Sequence, residues 1–138
     1  MSRLVVADAS VAMKWLRFSS EAGVDEALDL IRQHQESAVI LAAPSHMRIE
    51  VMNGLWSHRL SREDILGSAT DLEDFQLMWI PTDSSLATQA VEIAVEHNLT
   101  VYDALYVAAA LALDAELATS DRAIIASGAC EMLPIGLG

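Results

Sequence analysis

The sequence predicts an α/β fold in which a mostly parallel sheet is covered by helices on both faces. Short apolar runs alternate with longer segments of helical periodicity, the pattern of parallel strands joined by helical crossovers. The apolar runs are unbroken, as expected of strands buried on both faces. The 138 residues fit one domain, taken as residues 1–138, and at 53% hydrophobic content they can fill a core.

Taken in order, Leu4 to Ala7 is a buried strand that ends at Asp8. A first helix is expected over Ser10 to Arg17. A second runs over Glu21 to Gln35, where Val24, Ala27, Leu28 and Ile31 recur at helical spacing. Val39 to Ala42 is the second strand. Pro44 and Ser45 then open a helix, since proline is tolerated near a helix start, and it runs to about Leu60. Ser61 to Asp64 has the form of a capping box and starts a helix to about Phe75. Leu77 to Ile80 is a third short strand, ended by Pro81. Asp83 or Ser84 caps a helix to about His97. Val101 to Leu113 is a very apolar helix, Glu116 to Thr119 a fourth strand, and Asp121 to Ala126 a short helix. Met132 to Ile135 adds an edge strand, where Pro134 fits.

Composition narrows the function. No stretch is long enough to span a bilayer; the longest candidate, Ala104 to Leu113, stops at Asp114 and reads as a buried helix. The opening Met-Ser-Arg lacks the n-region and cleavage site of a signal peptide. Cys130 is the only cysteine, so no internal disulfide forms and a reducing, cytoplasmic setting is expected. The net charge of −12 opposes nucleic-acid binding, because phosphate contacts need Lys and Arg. An acidic cluster that holds metal would invert that charge locally, while solubility accounts for most of the acids. His34, His46, His58 and His97 lack the spacing of a zinc helix. There is neither a Gly-rich phosphate loop nor a G-x-S-x-G elbow. An aspartyl phosphatase often carries a second Asp where Ser10 stands. A receiver domain wants a late lysine, and Lys14 is the only lysine.

In parallel α/β sheets, sites form at the carboxyl ends of strands. Asp8 and Asp121 stand where the first and fourth strands end. Each equally suits a helix N-cap. Asp103 is the only charge between His97 and Asp114, and an acid in so apolar a segment is either paired or functional. On a helical wheel Glu50 falls with His46, Asn53, Gly54 and Ser57. That face is either plainly solvated or the lining of a cleft. Together the four acids suit a hard divalent cation, which prefers oxygen ligands and can activate water for phosphodiester hydrolysis.

At this point the sequence resembles the PIN-domain family, and within it the VapC-type toxins of bacterial toxin–antitoxin pairs. Val5 to Trp15 is similar to the family's first motif, and Pro44-Ser45 with Glu50-Val51 and Asn53 to the second. Thr100 to Tyr106 is similar to the third and most specific motif, and Thr119-Ser120-Asp121 to the fourth. The resemblance covers essentially the whole chain. It implies a three-layer α/β/α sandwich and metal-dependent cleavage of RNA at Asp8, Glu50, Asp103 and Asp121. Asp8, Asp103 and Asp121 would hold Mg²⁺, with Mn²⁺ as a substitute. Ser10 and Thr119 would be polar helpers. An antitoxin protein that blocks the site is the implied partner.

Lys14 and Arg17 share a helix face and, with Arg48, Arg59, Arg62 and Arg122, would make a basic rim for RNA phosphates; ordinary surface charge is the simpler reading. Arg48 and Arg59 fall on one stripe among apolar residues, which suits an interface. A homodimer is therefore expected, with Ser20 to Gln35 and Arg48 to Leu60 contributing. Trp15, Phe18, Trp56 and Trp79 are either partner anchors or, more simply, core. Two other functions stay open: a binding module that no longer cuts, and a metal-dependent phosphatase of small molecules.

Overall fold

The computed structural model describes residues 2–16 and 22–137. The elements in chain order are β1 (Arg3–Ala7), α1 (Ala9–Trp15), α2 (Val24–Gln35), β2 (Val39–Pro44), α3 (Met47–Ser57) and α4 (Arg62–Asp74). They continue with β3 (Met78–Ile80), α5 (Ser84–His97), α6 (Val101–Leu113), β4 (Glu116–Thr119), α7 (Arg122–Ser127) and β5 (Met132–Pro134). The strands form one sheet in the order β3-β2-β1-β4-β5, and every neighbouring pair is parallel. Val6 of the central strand pairs with Ala42 on one side and Leu117 on the other.

Right-handed crossovers decide the layers. The chain steps outward from β1 to β3, which lays α1 to α4 on one face. It then returns over the sheet to β4 and β5, which lays α5 to α7 on the other. Helix α6 packs across β1, β2 and β4, with α5 against it. Ala104 to Ala110 are all buried between them, so the helix is apolar nearly all round. No helix of the described residues is long and apolar enough to cross a membrane.

Ser61 and Asp83 each accept a first-turn N–H at the starts of α4 and α5, as expected, and Thr100 does the same for α6. The helix expected at Pro44 does not begin there. Pro44 is the last residue of β2, opposite Ile80, and the Ser45 N–H donates to the Ile80 carbonyl at 2.8 Å. The β1 ladder ends at Ala42, so the N–H that proline lacks has no partner to lose. The Ser45 and Thr82 side chains then bond each other at 3.1 Å, joining the loops after β2 and β3.

Helix α3 stops at Ser57, and Arg59 sits in a turn at φ 62. Arg48 and Arg59 therefore share no helical stripe. Arg48 is ion-paired to Glu73, and its guanidinium lies 3.8 Å from the ring centroid of Trp79. Trp15 is core, donating its indole N–H to the Ala27 carbonyl at 2.8 Å. Trp56 is 60% exposed and is not core. Phe18 lies outside the described residues. His34 is a structural brace: its Nδ1 accepts from the Leu41 N–H at 3.0 Å, which leaves Nε2–H to donate to the Phe75 carbonyl at 3.0 Å.

Candidate active site

Strands β1 and β4 lie side by side, and their onward connections leave over opposite faces. Their carboxyl ends therefore open a crevice, the place where parallel sheets bind ligands. Asp8 follows β1 and Asp121 follows β4 by two residues. Both serve as N-caps. Asp8 Oδ1 accepts the Val11 N–H at 3.2 Å; Asp121 Oδ1 accepts the N–H groups of Ala123 and Ile124 at 2.9 and 3.1 Å. Capping occupies Oδ1 of Asp121, and its Oδ2 is left for other chemistry.

Two hydroxyls lace these junctions together. Ser10 donates to Asp8 Oδ1 at 2.6 Å and accepts the Ser120 N–H at 2.9 Å. Thr119 donates to Asp8 Oδ2 at 2.5 Å and accepts the Asp121 N–H at 2.9 Å. Asp8 is 3% exposed. Burial pushes its carboxyl up to about 6, against the hydrogen bonds that favour the charged form, and the Asp121 charge adds to the rise.

Asp103 comes from the first turn of α6. Thr100 is the cap there, its hydroxyl accepting the Asp103 N–H at 3.1 Å, so the Asp103 carboxylate is not needed as a cap. That carboxyl is held above its ordinary value, first by burial and then by the charges of Asp121 and Glu50. Glu50 comes from α3, and its Oε2 is buried without a hydrogen-bond partner. The four acids thus sit in one electrostatic field: Asp121 acts on Asp8 and Asp103, and Glu50 acts on Asp103.

Two residues to which the sequence reading assigned no individual role also stand here. Tyr106 is 1% exposed, with its hydroxyl buried beside Glu50. Burial raises its pKa, followed by the nearby charges of Glu50 and Asp8. The His46 ring lies 4.7 Å from the Tyr106 ring, centroid to centroid, and its Nε2 is 3.5 Å from Glu50 Oε2. The spacing held a signal for both: Tyr106 is one helical turn beyond Asp103, and His46 one turn before Glu50.

A basic rim is not assembled as expected. Lys14 is 3% exposed, so it is buried and not on a surface rim. Arg48 is committed to Glu73 and Trp79. Arg17 lies outside the described residues. Arg59, Arg62 and Arg122 are exposed.

The donor set suits a hard cation in kind, since it offers carboxylate and hydroxyl oxygen. Glu50 Oε2 is a buried oxygen still lacking a partner. Among the described residues, however, no three His, Cys, Asp or Glu side chains come close enough to enclose an ion. The arrangement fits an ion held by one or two carboxylates that keeps several waters, the habit of Mg²⁺.

Next to this field lies a pocket of about 580 Å³ lined by His46, Ile49, Glu50, Asn53 and Tyr102. Glu50 belongs to both.

The chain is similar to known proteins in sequence and in fold. Residues 5–127 match the PIN domain family model. The chain is 36% identical over 78 residues to Ribonuclease VapC3 of Pyrobaculum aerophilum, a match covering 53% of this chain and 60% of that protein. The fold is similar to Mycobacterium tuberculosis VapC20, a sarcin–ricin loop cleaving toxin, with TM-score 0.71 and 17% identity over 90% of this chain and 95% of that one. It is also similar to VapBC2 of Rickettsia felis, solved with a DNA fragment from its promoter. There the TM-score is 0.70 and the identity 13%, over 96% of this chain and 98% of that one.

Proposed function

This chain belongs to the PIN-domain family, and on that premise we propose that it is a metal-dependent endoribonuclease, the toxin of a toxin–antitoxin pair. One observation carries the reading. Asp121 acts electrostatically on both Asp8 and Asp103, and Glu50 acts on Asp103, while two hydroxyls hold Asp8 and Asp121 in register at the carboxyl edge of the sheet. A merely capping role for these aspartates would not need Asp103 and Glu50 in the same field.

Nucleases of this family generally use divalent metal ions. Of Asp8, Asp103 and Asp121, one or two would bind Mg²⁺ or Mn²⁺ directly and the remainder through the ion's waters. When bound, such an ion supplies Lewis-acid charge for the attacking water and the leaving oxygen. Ser10 and Thr119 keep both Asp8 oxygens oriented by donating to them. Glu50 would accept the proton of a water attacking phosphorus. Tyr106 closes the inner wall, and its high pKa keeps the phenol protonated, so it acts as a donor and not as a base.

Two partners complete the proposal. A cluster that attracts a cation also attracts a guanidinium, so an antitoxin segment would block the crevice with an Arg on a carboxylate. The protein would work in the cytoplasm as a homodimer. The deciding experiment incubates the purified chain with single-stranded RNA in Mg²⁺, in Mn²⁺ and in excess EDTA. Cleavage with either ion and none with EDTA is expected. Cleavage that persists in EDTA would sink the metal mechanism, and turnover of phosphomonoesters with intact RNA would favour a phosphatase instead.

A further inference from the structure

The pocket beside Glu50 has no part in the chemistry above, yet it shares a wall with it. We propose that it receives one unstacked nucleobase of the RNA, adjacent to the phosphate that is cut. This rests on the ribonuclease reading and adds a determinant of sequence preference to it.

The lining residues point to a base. Ile49 and Tyr102 are large, apolar and 72% and 68% exposed. They immediately precede Glu50 and Asp103 in the sequence, so each acid carries an apolar wall beside it. An exposed aromatic ring offers a face on which a base stacks. Asn53 stands one turn beyond Ile49 on α3 and is exposed. Its amide presents an acceptor and donors side by side, the complement of the N6–H and N7 of adenine. Glu50 and His46 form the polar end of the pocket, His46 Nε2 lying 3.5 Å from Glu50 Oε2. The volume, about 580 Å³, lies within the usual range for small-molecule sites.

At a net charge of −12 the chain cannot hold RNA mainly through phosphate contacts. Stacking needs no positive charge, so a base seat supplies affinity that the composition withholds. A phosphate held at the acids would carry its neighbouring base across Glu50 into the pocket.

The test maps cleavage sites in a randomised single-stranded RNA pool, with Mg²⁺, for the wild type and for Tyr102→Ala, Tyr102→Phe and Asn53→Leu. The wild type should cut beside a preferred base, adenine. Tyr102→Ala should lose roughly 5- to 150-fold in kcat/KM, the loss of one stack, while Tyr102→Phe keeps the rate. Asn53→Leu should still cut but with a flattened base preference. A binding readout runs beside it: an RNA carrying 2-aminopurine should be quenched by the wild type and not by Tyr102→Ala. Cutting by the wild type without base preference overturns the pocket assignment and leaves the ribonuclease reading standing. So does a Tyr102→Ala protein that cuts and quenches normally but changes oligomeric state by light scattering, which makes the face a protein interface. A wild type that cuts no RNA in any cation removes both proposals.

Discussion

The Thr119 hydroxyl donates to Asp8 Oδ2 at 2.5 Å while accepting the backbone N–H of Asp121 at 2.9 Å. One fully buried side chain thereby sets the distance between two acids that are far apart in the chain. The β1 and β4 ladder aligns the strands, but the hydroxyl aligns the carboxylates that stand beyond it.

Thr119→Val keeps the shape and removes both bonds. It leaves a buried carboxylate oxygen and an N–H unpaired, which costs about 1–3 kcal/mol. The urea midpoint should fall accordingly, with Thr119→Ser recovering most of it, and RNA cleavage should drop in Thr119→Val. An unchanged midpoint would show that the hydroxyl does not brace the site.

Asp8 predicts how metal-free stability depends on pH. Its carboxyl is raised from 3.8 to about 6, chiefly by burial. The folded state therefore binds the proton more tightly than the unfolded chain. The contribution is fully present below about pH 3.8 and is lost as pH rises through about 6, a change on the order of 3 kcal/mol. In EDTA, the melting temperature of Asp8→Asn relative to wild type should rise between pH 4 and pH 7.5. A constant difference over that range contradicts the raised pKa.

Asp103→Asn separates chemistry from stability. Thr100 supplies the helix cap, and the Asp103 carboxylate feels Asp121 and Glu50. Removing its charge should abolish RNA cleavage, yet leave the melting temperature in EDTA unchanged or higher. A variant that melts clearly lower and still cuts RNA would reject Asp103 as a site residue.

The exposure of Trp56, 60%, near the end of α3 motivates the dimer prediction. Light scattering at micromolar concentration should give a dimer mass, and Trp56→Glu should shift it toward monomer. A wild type that is cleanly monomeric there would end the proposal.

Several features were legible because they depend on neighbours in sequence. Unbroken apolar runs marked the strands, and the acids at their carboxyl ends marked the crevice. Even so, local reasoning could not choose between cap and site for Asp8 and Asp121, because each carboxylate has two oxygens and caps with one of them. Elsewhere local preference misled. Pro44 reads as a helix start, but pairing with β3 outweighs that preference. Lys14, by its charge and helix position, reads as a surface lysine and is buried.

By itself the sequence determined the order of strands and helices, the caps, and which four acids are available. These follow from periodicity and from hydrogen bonds spanning a few residues. Only the tertiary structure decided what those acids meet. Thr119 reaches Asp8 across 111 residues, and His46 lies against Tyr106 on another helix. Such contacts arise when the crossovers fold over the sheet and burial fixes each side chain in a single arrangement. No pattern along the chain encodes them one residue at a time.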